Sequence, residues 1–190
     1  MKAALLEQAV AMQDQLIAWR REFHRHPEVG FHEHWTAGRV AQILEQLGCR
    51  VKTGVGRMGV VGELGPESGS VIAIRADMDA LAILEKNDFP HASENPGFMH
   101  ACGHDAHIAM GLGASQLLAQ QPLLGRVRFL FQPSEEVNDD EGLSGASRMI
   151  ADGAMENVRL VIAQHVDPQT PVGQIRIASG PFSGGVDSIF

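Results

Sequence analysis

Between His100 and His107 the chain packs three imidazoles, one thiol and one carboxylate into eight residues, His100-Ala101-Cys102-Gly103-His104-Asp105-Ala106-His107. With only two cysteines and nine histidines in 190 residues, such a concentration is unusual for this composition. Thiolate, imidazole and carboxylate are donors that suit zinc and its first-row neighbours. Glu135-Glu136 and His165 lie downstream, each just after an apolar run that reads as a strand. Two adjacent carboxylates offer one group to hold a metal and one to move protons. The pattern points to hydrolytic metal chemistry.

Each element of this pattern has a plainer reading. An isolated Cys-x-His is more often a buried thiol beside surface histidines, because short motifs arise by chance. Here Asp77, Asp79, Glu135, Glu136 and His165 recur at the ends of other apolar runs, which weakens that reading. Glu135 and Glu136 repel in a partly dry site, raising one pKa unless a cation offsets them. A metal resolves the conflict by taking one carboxylate, leaving the other to receive a proton from water of lowered pKa. Read alone, the same stretch is equally a solvated acidic turn, with Asp139, Asp140 and Glu141 close by. His165 alone is equally a satisfied core residue. Asp79 and Asp105 are available to accept the free N–H of a ligating histidine and fix its tautomer. His24, His26, His32 and His34 lead into a helix beside Arg20, Arg21 and Arg25, and read as mainly structural or surface residues. The chain has no glycine-rich phosphate loop and no Gly-x-Ser-x-Gly elbow.

The elements that must position these groups follow from periodicity. Leu5, Leu6, Ala9, Met12, Leu16, Ile17 and Trp19 recur at helical spacing and predict one helix over about 3–24, stopped by Pro27. A second helix is expected from Thr36, as N-cap, to Leu47, with Gly48 after it. Val51 to Leu64 reads as two strands around Gly54-Val55-Gly56. Val71–Ala76, Val127–Phe131 and Leu160–Ala163 are short apolar runs, as in strands buried on both faces. Val172–Ile177 alternates, as a strand nearer an edge would. A helix from His104 to Ala119 turns Ile108, Leu112, Ser115 and Leu118 to a core, and another begins near Ala146. Strands alternating with helices give an α/β sandwich with the candidate chemistry at strand ends.

Composition sets outer bounds. The chain can bury a real core, and its length suggests one domain. A net charge of −8 argues against nucleic acid or an anionic membrane as a general partner. No apolar stretch approaches membrane-spanning length, and Met1 to Glu7 meets an acid too soon for a signal-peptide core. Scarce cysteine suggests a reducing compartment, so a cytoplasmic location is expected.

Five motifs then occur in order: Phe23-His24-Arg25-His26-Pro27-Glu28-Val29-Gly30-Phe31, Arg75-Ala76-Asp77-Met78-Asp79-Ala80-Leu81, Met99-His100-Ala101-Cys102-Gly103-His104-Asp105-Ala106-His107, Phe131-Gln132-Pro133-Ser134-Glu135-Glu136 and His165-Val166-Asp167-Pro168. As a set, spanning nearly the whole chain, they resemble the M20 metallopeptidase family, in its amidohydrolase branch of hippurate, N-acyl-amino-acid and auxin-conjugate hydrolases. The resemblance implies a three-layer α/β/α zinc-peptidase-like catalytic domain with a central mixed sheet. It implies two divalent metal ions, zinc or manganese first and cobalt or nickel as further options, held by Cys102, His104, Glu136 and His165. Glu135 matches the general base and proton shuttle, and Asp79 the orienting acid. Asp77 stands where other branches place a ligand, but is not assigned as one.

The implied reaction is metal-dependent hydrolysis of an N-acyl amino acid or dipeptide-like small amide. The alternative is a truncated metal-binding half-domain, inactive alone or completed by another chain. Family members continue through a lid or dimerisation domain, so residues 1–183 resemble the N-terminal portion of the catalytic domain. Residues 184–190 then resemble the run into the lid, through which full-length relatives would form homo-oligomers.

Overall fold

The computed structural model describes residues 2–177, 179 and 180. Its centre is a five-stranded mixed sheet of order β1-β2-β4-β3-β5. The strands are β1 (Arg50–Val55), β2 (Gly59–Leu64), β3 (Val71–Asp77), β4 (Arg126–Gln132) and β5 (Val158–Ala163). β1 and β2 form an antiparallel hairpin, and β2 pairs antiparallel with β4. β3 runs parallel to both β4 and β5. In register Asp77 pairs with Gln132, and Arg75 pairs with Ala163. The three parallel strands therefore end at one edge of the sheet. That edge receives Asp77–Asp79, Gln132–Glu136 and Gln164–His165 from three distant parts of the sequence.

Alternation along the strands builds two cores, as a period of two requires. Val60, Leu64, Phe129, Phe131 and Ala76 face the helices α2 (Gln13–Arg25), α3 (His34–Gln46) and α4 (His104–Ala119). Phe23, Val40, Leu44, Ile108 and Leu112 fill the space between. Val61, Ala73 and Leu130 face the other way and meet Met149 of α5 (Gly145–Ala151) and Ala154. Helices thus cover both faces, and the expected layered α/β architecture holds.

Several local expectations change. The single helix expected over 3–24 is divided at Met12 into α1 (Lys2–Ala11) and α2. Thr36 is not the cap of α3. Glu28 supplies the cap from outside the helix, accepting the amides of Trp35 at 3.1 Å and Thr36 at 2.8 Å and the Thr36 hydroxyl at 2.9 Å. Two of the orphan donors of the first turn are satisfied by a carboxylate, which the helix dipole also favours. Val172–Ile177 forms no strand, and its apolar side chains are exposed. β5 is an edge strand rather than an inner one, with Leu160 53% and Ile162 50% exposed. Its apolar run matches a doubly covered strand, but among the described residues nothing covers it. The stretch from 184 onward, expected to enter another domain, lies outside the described residues. Among the described residues, no helix is long and apolar enough to cross a membrane.

The cap gives a stability prediction. Glu28→Ala should destabilise the fold by about 1–2 kcal/mol, the range for loss of a helix cap. Urea denaturation should show a lower midpoint with an unchanged slope.

Candidate metal centre

Gly103 begins the site's local geometry. It precedes α4 with φ +89°, where glycine alone is unstrained, and a Cβ there would lie 2.5 Å from Val166 Cγ2. Cys102 and His104 flank this turn, so the thiol and the first imidazole of α4 come to the same edge as β5. Asp105, one residue further, supplies the negative charge that a helix N-terminus favours.

The histidine tautomers follow from their partners. His104 Nδ1 lies 2.8 Å from the backbone carbonyl of Asp79, and His165 Nδ1 lies 2.7 Å from that of Val166. A carbonyl can only accept, so both Nδ1 atoms carry a proton, and in the neutral rings the lone pairs lie on Nε2. His104 Nε2 is buried without a hydrogen-bond partner, as is Glu136 Oε1, 3.8 Å away. His165 Nε2 lies 3.2 Å from Cys102 Sγ. Donor atoms of Cys102, His104 and His165 lie within 4.8 Å of one another, and so do those of His104, Glu135 and Glu136. All five residues named from the sequence as ligands or base therefore converge, with His104 common to both groups.

Asp79 stands beside His104, where the orienting acid is expected. Its backbone oxygen accepts from His104 Nδ1–H at 2.8 Å, and its carboxylate Oδ1 lies 3.3 Å from the same nitrogen. Its carboxylate Oδ2 accepts the backbone N–H of Glu136 at 2.9 Å and so fixes where that glutamate starts. Asp105 does not touch a candidate ligand. It faces α2, where its Oδ2 accepts from His24 Nδ1 at 2.9 Å and Arg20 Nε at 3.1 Å.

A third acidic–imidazole group, Asp77, His104 and His107, is also close. Here Asp77 and His107 are already engaged. His107 Nε2 accepts the Val166 amide at 3.0 Å, so its Nδ1–H is the one that meets Asp77 Oδ1. Arg75 Nη1 lies 2.6 Å from Asp77 Oδ2, and Arg75 Nε donates to Gln132 at 2.9 Å. Asp77 is thereby a brace: it orients His107, and His107 holds Val166 beside His165. His107 went unassigned in the sequence. Its signal is the spacing of three from His104, which puts both rings on one face of α4.

Electrostatics fit a cation. Burial pushes the Cys102 thiol up, and Glu136, Glu135 and Asp77 push it further, to about 12. Burial works against charging His104, but Asp79, Asp77 and Glu136 outweigh it and raise its pKa. Burial would also raise Asp77, yet the His107 hydrogen bond and then Arg75 and His104 bring it down to about 2. The edge carries excess negative charge facing free imidazole lone pairs and a thiol. A metal ion reverses the local field, deprotonating a coordinating thiol and using the unpartnered Nε2 and Oε1 atoms. The donor set fits such an ion.

Comparison with known proteins agrees. The profile described as Peptidase family M20/M25/M40 matches residues 73–182. The chain belongs to this family. It is 43% identical over 178 residues to the N-acyl-L-amino acid amidohydrolase of Geobacillus stearothermophilus, covering 92% of this chain and 47% of that protein. It is 41% identical over 174 residues to the IAA-amino acid hydrolase ILR1-like 4 of Arabidopsis thaliana, covering 90% and 38%. Among solved structures, the YXEP protein of Bacillus subtilis, described as a dinuclear metal binding peptidase from the M20 family, superposes with a TM-score of 0.82. It shares 40% identity over 90% of this chain and 47% of that one. The chain spans less than half the length of each of these M20 relatives.

The M20 fold also gives the N-terminal histidines definite places. His24 is buried with both ring nitrogens on carboxylates, Asp105 and Glu85, the latter at 3.2 Å. Two carboxylates facing both nitrogens favour the imidazolium form and raise the pKa of this ring. His26 stacks on Trp35, while His32 and His34 are exposed. The structural reading of the group holds, although His24 is tied more closely to α4 than its sequence neighbours suggest.

The Asp105–His24 pair has a defined pH window. The Asp105 hydrogen bond raises His24, despite burial. Burial would raise Asp105, but His24, His100 and Arg20 lower it. A lowered carboxylate contributes stability above about pH 4, lost as pH falls through the folded value. A raised histidine contributes below about pH 6.5, lost as pH rises through its folded value. Asp105→Asn should therefore destabilise on the order of 3 kcal/mol near pH 5.5. Denaturation from pH 3 to 9 should show the gap to the native chain narrowing at both ends.

Proposed function

We propose that this chain carries the metal-holding and proton-moving part of a site that hydrolyses the amide bond of N-acyl amino acids or related dipeptide-like amides. The observation that supports it is the unpartnered Nε2 of His104, gathered with the His165 Nε2–Cys102 Sγ pair, Glu135 and Glu136 at one sheet edge. Cys102, His104, Glu136 and His165 would hold the ions. Two ions accord with the dinuclear Bacillus subtilis relative, with zinc or manganese as the expected metal and cobalt or nickel suited to the same donors. Such ions, when bound, polarise an amide carbonyl and bring the pKa of water towards about 7.

Glu135 is the proton carrier in this reading. It is exposed and makes no hydrogen bond or ion pair among the described residues, so its carboxylate is free to take a proton. It would accept one from water as the oxygen adds to the carbonyl carbon, then deliver it to the amine as the C–N bond breaks. Asp79 would keep His104 in its Nδ1–H tautomer through its carbonyl and hold the Glu136 backbone through its carboxylate. A cytoplasmic location, and homo-oligomers formed through further segments, belong to the same proposal.

A second reading is that the chain binds metal but turns over substrate only when another segment or chain completes it. The exposure of Glu135, His165 and β5 favours it, because catalysis of this kind needs a fixed, water-poor site.

The test joins this chain to the complementary part of the Geobacillus enzyme and assays a panel of N-acyl amino acids. Glu135→Gln should lower turnover at least about 100-fold with metal content unchanged, as loss of a general base requires. Glu136→Gln should lower both. Metal loss from Glu135→Gln alone would exchange the two roles. Without the added part, the 190-residue chain should turn over poorly; efficient hydrolysis by its monomer would contradict the second reading.

A further inference from the structure

Glu33 is fully buried, immediately before α3, and more than a hundred residues from the glutamate pair. Its Oε1 accepts the backbone N–H of Ser134 at 2.7 Å. Ser134 is itself fully buried and has φ +43°, an uncommon backbone state for a side-chain-bearing residue. The Ser134 hydroxyl donates to the Val137 carbonyl at 2.8 Å, closing a tight turn around Glu135 and Glu136. Gly30 makes room for this turn: a Cβ there would lie 2.3 Å from Ser134 Oγ. The turn is held at its start by Glu33 and at Glu136 by Asp79.

We infer that Glu33 is a positioning residue, whose hydrogen bond to Ser134 holds the strained turn that aims Glu135 and Glu136 at the metal-binding edge. This inference rests on the metal-site reading above. A left-handed backbone at a serine persists only where its surroundings over-determine it. Among the described residues, the side chain that meets the Ser134 amide comes from Glu33, within a segment that carries none of the candidate ligands. Burial pushes Glu33 up to about 7, with the Ser134 amide opposing. Glutamine therefore resembles its protonated form and keeps an oxygen for the amide, whereas alanine offers no acceptor and aspartate falls one methylene short.

Cobalt(II) titration of the 190-residue chain tests this, read by the visible and thiolate charge-transfer absorbance of the ion. Far-ultraviolet circular dichroism monitors the fold. Glu33→Ala should weaken cobalt affinity about tenfold or more with the fold retained, the size of effect seen when outer partners of ligands are removed. Glu33→Gln should stay within about threefold of the native chain. If Glu33→Ala does not fold, Glu33→Asp takes its place with the same expected loss. Adding Ser134→Gly to the alanine variant should recover part of the affinity, because glycine adopts positive φ without strain. Native affinity in a folded Glu33→Ala or Glu33→Asp overturns the inference, as does loss of affinity in Glu33→Gln equal to that in alanine. Absence of cobalt binding by the native chain would instead overturn the metal-site reading and this inference with it.

Discussion

A backbone carbonyl can accept a hydrogen bond but never donate one, and the candidate centre depends on that asymmetry. The Asp79 and Val166 carbonyls accept from the Nδ1–H groups of His104 and His165, which turns the two Nε2 atoms towards the other donors, one unpartnered and one against Cys102 Sγ. Were either ring reversed, its N–H would point at the other donors and the site would repel a cation. The carbonyl of Asp79 is fixed because it lies two residues beyond β3, between the Met78 amide held by the Gln132 carbonyl and the Ala80 amide held by the Glu28 carbonyl. Val166 is fixed because its amide is held by His107, which is braced by Asp77 and Arg75. The sheet therefore determines the protonation pattern as well as the position of the donors.

Parallel β3, β4 and β5 make this arrangement possible. Each apolar run ends in residues with chemistry, and parallel pairing brings the ends together without further design. The hairpin β1–β2 and the helices α2, α3 and α4 supply the bulk that keeps the ends in register. The N-terminal segment supplies more than bulk: Glu28 caps α3, Glu33 reaches the turn before Glu135, and His24 latches Asp105 at the start of α4. Three side chains from one short stretch thus support elements that carry the candidate site.

Much of this was legible in the sequence. The apolar runs located β3, β4 and β5, and Cys102, His104, Glu135, Glu136 and His165 after such runs marked a candidate site whose residues the fold brings together. What was not legible depends on long-range partners. Asp105 reads as a support for a ligating histidine, yet its place on α4 turns it to α2. Thr36 reads as a cap, but Glu28 competes better because its longer side chain reaches two amides. Leu160–Ala163 reads as an inner strand because its residues are apolar, while burial depends on what lies over them. Glu33 carried no local signal, since its partner is a backbone amide selected by tertiary structure.

The centre's charge balance makes metal binding directly measurable. A thiol held near pKa 12 by burial and surrounding carboxylates is protonated at neutral pH, so ligation through Cys102 must release a proton. Zinc titration by calorimetry, in two buffers of different ionisation enthalpy, counts that proton in the native chain and in Cys102→Ser. The account predicts tighter binding by the native chain and about one more proton released than in the variant at pH 7.5. No zinc binding by the native chain, or equal affinity and equal proton release in both, would contradict it.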